Sequence, residues 1–145
     1  MSVEIAIIKI KEDEFVAKDI FVDKIDSSKL TIGFNIDFNW QIEQENFYLK
    51  LTIHYNYKND EEEIGLVKFS FTTGFHVKGL KDSLNADGSN FQLPDSLMMT
   101  FLSTSVSSGR GMLAYKLAGT PLSDFYLPLV DVNDFLNQIK KKHNE

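Results

Sequence analysis

Between residues 30 and 42 apolar and polar positions alternate without an error. Leu30, Ile32, Phe34, Ile36, Phe38, Trp40 and Ile42 form one row, and Thr31, Gly33, Asn35, Asp37, Asn39 and Gln41 form the other. Successive side chains of a strand point to opposite faces, so this pattern predicts a long strand with one buried face. After a polar turn, Glu43-Gln44-Glu45-Asn46, a second row follows in Phe47, Leu49, Leu51, Ile53, Tyr55 and Tyr57. The turn Lys58-Asn59-Asp60-Glu61-Glu62-Glu63 leads into a third run with Val67, Phe69, Phe71, Phe75 and Val77 in phase. A one-residue slip would send a whole apolar row to the solvent face, which restricts the register. The first turn pairs Ile42 with Phe47, and therefore Trp40 with Leu49 and Phe38 with Leu51. In the second hairpin, Tyr55 opposite Val67 and Ile53 opposite Phe69 keeps the apolar rows together.

Upstream, Ile5-Ala6-Ile7-Ile8-Lys9-Ile10 and Phe15–Val22 read as less regular edge strands. Downstream, Lys81–Asn90 is polar, with Asp87-Gly88 as a turn signal. Spacing then becomes helical. Pro94 suits a first helical turn, and Leu97, Met98, Phe101, Leu102, Val106, Met112, Leu113 and Leu117 recur at three- and four-residue steps. Gly109 and Gly111 are places for this helix to break or bend. Residues 119–130 read as an apolar loop with two prolines, and Asp131 can cap a short final helix ending in Lys140-Lys141-Lys142. Strands first and helices second predict an α+β fold: an antiparallel sheet of about four long strands followed by two C-terminal helices. One domain covers residues 1–145, with edge strands in 1–29, an antiparallel meander in 30–80 and a helical region in 94–142.

The meander's inner face carries 18 large apolar side chains, each worth roughly 1.5–3 kcal/mol when fully buried. A strand of this length spans roughly 43 Å, more than two helices cover easily. Part of the face is therefore expected to meet a second subunit or a bound apolar ligand.

Composition removes several function classes. A formal net charge of −6 argues against phosphate-driven nucleic-acid binding. The absence of cysteine excludes disulfides, thiol catalysis and Cys-based zinc sites. No apolar run is long enough to span a bilayer, and the N-terminus lacks a secretory pattern, so a cytoplasmic protein without membrane insertion is expected. His54, His76 and His143 lack metal-ligand spacing. Ser103, Ser105, Ser107 and Ser108 beside Arg110 sit on a helix and not in a nucleophile elbow, which favours close packing over catalysis. Gly109-Arg110-Gly111 is not a phosphate loop. No enzymatic activity, metal or cofactor is expected. Asp60, Glu61, Glu62 and Glu63 form an acidic hairpin tip, either a solvated turn or an electrostatic docking point.

One segment stands out by its density of large apolar residues. Leu122, Phe125, Tyr126, Leu127, Leu129 and Val130 occupy a loop, where a solvated connection would be polar. They either complete the core or, with the sheet, line an apolar groove.

The long-stranded meander, the helix with Arg110, the Gly119-Thr120 junction, Leu127-Pro128-Leu129 and then Phe135 together resemble the bacterial SecB export-chaperone family. The resemblance runs from about Leu30 to Phe135. It implies a homo-oligomer, a dimer or a tetramer built as a dimer of dimers. It also implies ATP-independent binding of unfolded polypeptide clients in grooves between sheet and crossover loop, here Leu122–Val130. Phe125 and Tyr126 are then the first client-binding candidates, with Leu122 and Leu127 beside them and Trp40 on the sheet. The helical region is longer and richer in serine than in that family. The tail lacks its acidic extension, and the polar sheet face carries Asp37, Lys50 and Lys68. Docking of a SecA-type motor, which uses acidic surfaces in the family, thus has little support here. A general export chaperone and a dedicated one, such as a toxin–antitoxin chaperone, both fit. The alternative from another class is a small-ligand carrier or structural interaction protein with a closed apolar pocket.

Overall fold

The computed structural model describes residues 4–18, 25–83, 95–129, 131, 133–134 and 136–138. The three alternating runs form strands β2 (Leu30–Gln41), β3 (Asn46–Asn59) and β4 (Glu62–Lys78), and β1 (Glu4–Ala17) adds a fourth. All neighbours are antiparallel, in the order β1-β4-β3-β2. Helix α1 (Asp95–Lys116) lies on one face. The architecture is the expected α+β fold.

The second hairpin has the expected register, with Tyr55 opposite Val67 and Ile53 opposite Phe69. Its turn is tighter than the sequence indicates. Asn59 pairs with Glu62, leaving only Asp60 and Glu61 between the strands, with Asp60 in the left-handed region at φ 55°. A bulge beside Tyr55 absorbs the extra residue.

The first hairpin departs from expectation by two residues. Trp40 pairs with Phe47, Phe38 with Leu49 and Ile36 with Leu51. Because side chains alternate with a period of two, every apolar residue keeps its face while every partner changes. The turn is Ile42–Glu45, with Glu45 at φ 56° donating its N–H to the Ile42 carbonyl at 3.0 Å. Glu45 also accepts from the Val77 N–H at 2.8 Å, which ties this turn to the end of β4. Asn46 is thereby drawn into β3, where its side chain meets the His76 ring at 3.0 Å. The shift places the indole of Trp40 on Phe47, ring centroids 3.9 Å apart.

The two upstream segments are one strand. Irregularities between Ile7 and Lys9 and between Glu12 and Glu14 insert an extra residue twice, at Ile8 and Asp13. Each insertion inverts the phase, so Ile5, Ile7, Ile10, Glu12, Phe15 and Ala17 share a face despite their uneven spacing. The expected continuation to Val22 passes outside the described residues after Lys18.

Helix α1 runs unbroken through Gly109 and Gly111. Gly109 is the point of closest approach to the sheet: a Cβ there would lie 2.9 Å from Phe71 Cε1 and 3.3 Å from Ile53 Cδ1. Phe101 packs between Phe47 and Phe75, with centroids 4.6 and 4.5 Å away. Three of the helix's hydroxyls are satisfied locally. Thr100, Ser103 and Ser108 donate to the carbonyls of Ser96, Thr100 and Thr104, which accounts for much of its hydroxyl content. Gly119, at φ 81°, carries the chain out of the turn that follows Lys116. Asp131 accepts the N–H groups of Asn133 and Asp134 at 2.9 and 3.3 Å, the capping expected of it, and residues 133–134 and 136–138 are helical. Pro94, Asp87-Gly88, Phe135, His143 and the lysine run 140–142 lie outside the described residues.

The core sits between α1 and the middle of the sheet. Phe47, Leu49, Leu51, Ile53 and Tyr55 of β3 are fully buried, as are Phe69 and Phe71 of β4. The corresponding row of β2, from Ile32 to Trp40, is only partly buried.

Candidate functional site

The segment after α1 is folded by its own hydrogen bonds. The Thr120 hydroxyl donates to the Leu117 carbonyl at 2.8 Å and accepts from the Leu122 N–H at 3.1 Å. Ser123 and Phe125 donate their N–H groups to Thr120 and Leu122 at 3.0 Å. Two side chains then hold the loop against the domain. Arg110 donates from Nε to the Leu127 carbonyl at 2.9 Å and from Nη2 to the Pro128 carbonyl at 3.0 Å. Tyr55 donates its hydroxyl to the Phe125 carbonyl at 2.7 Å. Burial pushes the Tyr55 phenol up from 10.0 to about 12, so the hydroxyl stays a donor through the physiological range.

This framework divides the loop's apolar residues. Leu122 and Leu127 are 1% and 2% exposed and belong to the core. Phe125 is half-buried against that core. Tyr126 and Leu129 face outward, 61% and 91% exposed. Tyr55 pairs with Ile32, so the bond from Tyr55 to Phe125 sets the loop beside the half-buried row of β2. Ile32, Phe34, Phe125, Tyr126 and Leu129 therefore leave apolar area in reach of solvent around one end of the sheet. Trp40 is not at that end. Eight residues at about 3.3 Å each separate it from Ile32, roughly 26 Å along β2.

The acidic residues Asp60, Glu61, Glu62 and Glu63 are all exposed. Asp60 and Glu61 make the turn, and Glu62 and Glu63 are strand residues opposite Asn59 and Lys58. The tip lies a few residues beyond Tyr55 on β3, at the same end of the sheet as the crossover loop. At the opposite end, desolvation acts to raise the Glu45 carboxyl. It is outweighed by the N–H groups of Lys81, Gly79 and Leu80 and by the Lys81 ammonium, and the carboxyl ends up below its ordinary value.

A second apolar surface lies on β1. Ile5, Ile7 and Ile10 share one face and are exposed, Ile7 by 51%, as are Ile8 at the bulge and Val16 on the other face. They line an edge strand whose outer hydrogen-bonding side has no partner among the described residues. The isoleucines are legible in the sequence. Their exposure is not, because it depends on α1 lying over β3 and β4 and not over β1. Lys116 is the tie between helix and edge: its ammonium meets Glu12 at 2.6 Å and lies 4.6 Å from the Phe15 ring centroid.

Among the described residues no group of three or more His, Asp or Glu side chains is arranged to hold a metal ion. No described helix is long and apolar enough to cross a membrane.

Comparison with solved structures places the fold. A SecB-like chaperone of Mycobacterium tuberculosis, in complex with a peptide from the HigA1 antitoxin, superposes with a TM-score of 0.58 over 88% of this chain and 91% of that one, at 15% identity. This chain has a SecB-like fold. A Streptococcus agalactiae protein of unknown function aligns over 90% of this chain and 100% of its own at 10% identity, with a TM-score of 0.31. No protein-family model and no curated protein matches the sequence.

Proposed function

We propose that the protein is an ATP-independent chaperone that holds unfolded or partly folded polypeptide against the surface formed by the crossover loop and β2. The observation that carries this reading is the split character of the loop. Leu122 and Leu127 anchor it, Arg110 and Tyr55 clamp its backbone, and Phe125, Tyr126 and Leu129 remain available. A loop fixed in this way offers aromatic contact area with little further loss of side-chain freedom, which suits clients of many sequences. The peptide bound to the mycobacterial SecB-like chaperone supports a polypeptide client for this fold. Trp40, about 26 Å away, serves as a second contact along an extended client, and several weak contacts on one chain add through avidity. The acidic tip Asp60–Glu63, at the loop's end of the sheet, is placed to meet basic flanks of a client.

The same reading includes self-association. An edge strand whose outer backbone groups have no partner among the described residues, beside a row of exposed isoleucines, is a hazard unless covered. A second copy paired along β1 covers it, giving a cytoplasmic homodimer or, by further association, a tetramer. Light scattering at micromolar concentration should show a mass above that of one chain, and a monomer-only profile overturns this part of the proposal.

The test of the chaperone is suppression of aggregation of a chemically unfolded protein by wild type and by Phe125→Ala/Tyr126→Ala. Wild type should suppress at stoichiometric ratios without nucleotide, and the double variant should lose most of that effect. Tyr126→Ala alone separates binding from folding, because a side chain so exposed contributes little to stability. Failure of wild type to suppress any client overturns general holdase function, whereas full activity in a folded double variant overturns the assignment of the groove to Phe125 and Tyr126.

A further inference from the structure

The sheet face opposite α1 carries a trough of about 440 Å³ crossing all four strands. Its walls include Lys9, Asp37, Gln41, Tyr48, Lys50 and Thr72. The register explains its shape. Lys9 lies opposite Gly74, Gly74 opposite Tyr48, and Lys50 between Thr72 and Asp37. Gly74 has no side chain, and the Tyr48 ring lies over the gap: a Cβ there would come 2.8 Å from Tyr48 Cε1 and 3.2 Å from the Lys9 Cβ. The floor is therefore an aromatic ring pressed onto bare backbone, with walls that are polar apart from Phe38.

The charges around it are unevenly compensated. Lys68 and Lys78 on the same face pair with Glu14 and Glu4 at 3.3 and 3.9 Å. Lys9, Lys11 and Lys50 form no ion pair with another described residue. Strand spacing of about 4.8 Å sets the backbones of Lys11 and Lys50 roughly 10 Å apart with Thr72 between them, and Lys9 is two residues along from Lys11. Three ammonium groups on flexible stems can thus reach one point above Thr72 and Tyr48. Two carboxylates border the area. Asp13 accepts the Thr72 hydroxyl at 2.6 Å, and Asp37 stands at the β2 rim. Three cations against two anions is a local excess of positive charge on a chain whose net charge is −6.

We propose that this trough docks an acidic segment of a partner polypeptide, its carboxylates seated among Lys9, Lys11 and Lys50 and its backbone crossing the strands over Tyr48. The trough is broad and open to solvent, unlike the enclosed cavities that bury small molecules, and it runs from β1 to β2, which suits an extended chain. Its lysines are surface groups with screened charges, so the interaction is of the salt-sensitive, rate-enhancing kind. It lies on the opposite face from the crossover loop and is independent of the chaperone reading.

The experiment measures fluorescence anisotropy of a short fluorescein-labelled glutamate-rich peptide titrated with the full chain. A lysine-rich peptide of equal length serves as the comparison. Wild type should bind the acidic peptide selectively and more weakly as salt is raised. Lys9→Glu/Lys50→Glu, both exposed positions, should weaken binding about tenfold or more while the circular dichroism spectrum stays unchanged. Lys29→Glu/Lys58→Glu changes the total charge equally away from the trough and should alter affinity less than about twofold. Phe125→Ala/Tyr126→Ala should bind the peptide as wild type does. Equal weakening by the two lysine pairs would show a bulk charge effect and overturn the site. Absence of selective binding, or complete displacement of the peptide by equimolar glutarate, would overturn the polypeptide assignment.

Discussion

Gly109 and Gly111 sit two residues apart in α1, yet the same substitution should act on them in opposite directions. In a helix interior alanine is favoured over glycine by about 1 kcal/mol, because glycine loses more backbone freedom on folding. At Gly111 nothing lies within 4 Å of the added methyl group, and the residue is exposed. Gly111→Ala should therefore stabilise by about 0.8–1 kcal/mol, raising Tm by about 2–4 °C at this chain length. At Gly109 the methyl group would stand 2.9 Å from Phe71 Cε1, 3.1 Å from Phe71 Cζ and 3.3 Å from Ile53 Cδ1. Both neighbours are fully buried, Phe71 lies against Phe69 at 5.4 Å between centroids, and neither has room to withdraw. Overpacking of this kind costs about 1–3 kcal/mol. The propensity gain is common to both variants and cancels in the comparison. The difference between them is thus the strain alone, about 1–3 kcal/mol in favour of Gly111→Ala. Urea unfolding followed by circular dichroism measures it, with both variants at one protein concentration because self-association would shift the midpoint. Equal stabilisation by both alanines would mean that α1 does not approach the sheet at Gly109, and the packing described above would be wrong.

Three further outcomes follow from single contacts. Thr73 Oγ1 and Ser105 Oγ are buried without a hydrogen-bond partner among the described residues, so the near-isosteric Thr73→Val should stabilise the fold by about 1 kcal/mol or more; a loss of stability in thermal unfolding would show that the hydroxyl is satisfied. Burial raises the Tyr55 phenol from 10.0 to about 12, so its contribution is intact below pH 10 and is lost as pH rises towards 12, where the unfolded chain ionises first. Tyr55→Phe should flatten that alkaline decline relative to wild type, and parallel profiles would refute the assignment. Lys116→Met removes the ion pair to Glu12 and the cation over Phe15, costing about 0.5–1 kcal/mol. Hydrogen exchange should rise in β1 more than in β3, and a uniform increase would contradict a local tie.

The β meander was legible because it is amphipathic in the simplest way. Unbroken alternation over residues 30–42 admits only a strand with one wet face, and the rows of β3 and β4 must then join it on the same side. Where the pattern failed, the cause was also local. Two bulges in β1 invert its phase, so a continuous strand reads as two irregular pieces. The two-residue offset of the first hairpin left no trace in the pattern, since it preserves every face. It was settled by the bond from Glu45 to the end of β4 and by the stacking of Trp40 on Phe47, neither visible from within the hairpin.

The candidate surface divides along the same line. That residues 122–129 are too apolar for a solvated loop is a property of composition. Which of them face the core depends on Arg110 and Tyr55 gripping the loop's carbonyls from other elements, and no spacing rule encodes a side chain reaching a backbone group seventy residues away. The polar face of the sheet tells the same story. Its lysines alternate with the core residues as any solvated face would, and only the pairing of β1, β4 and β3 gathers Lys9, Lys11 and Lys50 around Tyr48 and Gly74. The sequence by itself determined which residues are apolar, which face each residue of the meander takes and the order of elements, because those follow from local periodicity. Tertiary structure alone decided register, which apolar residues remain exposed and which charges meet, because those depend on where elements distant in sequence come to rest.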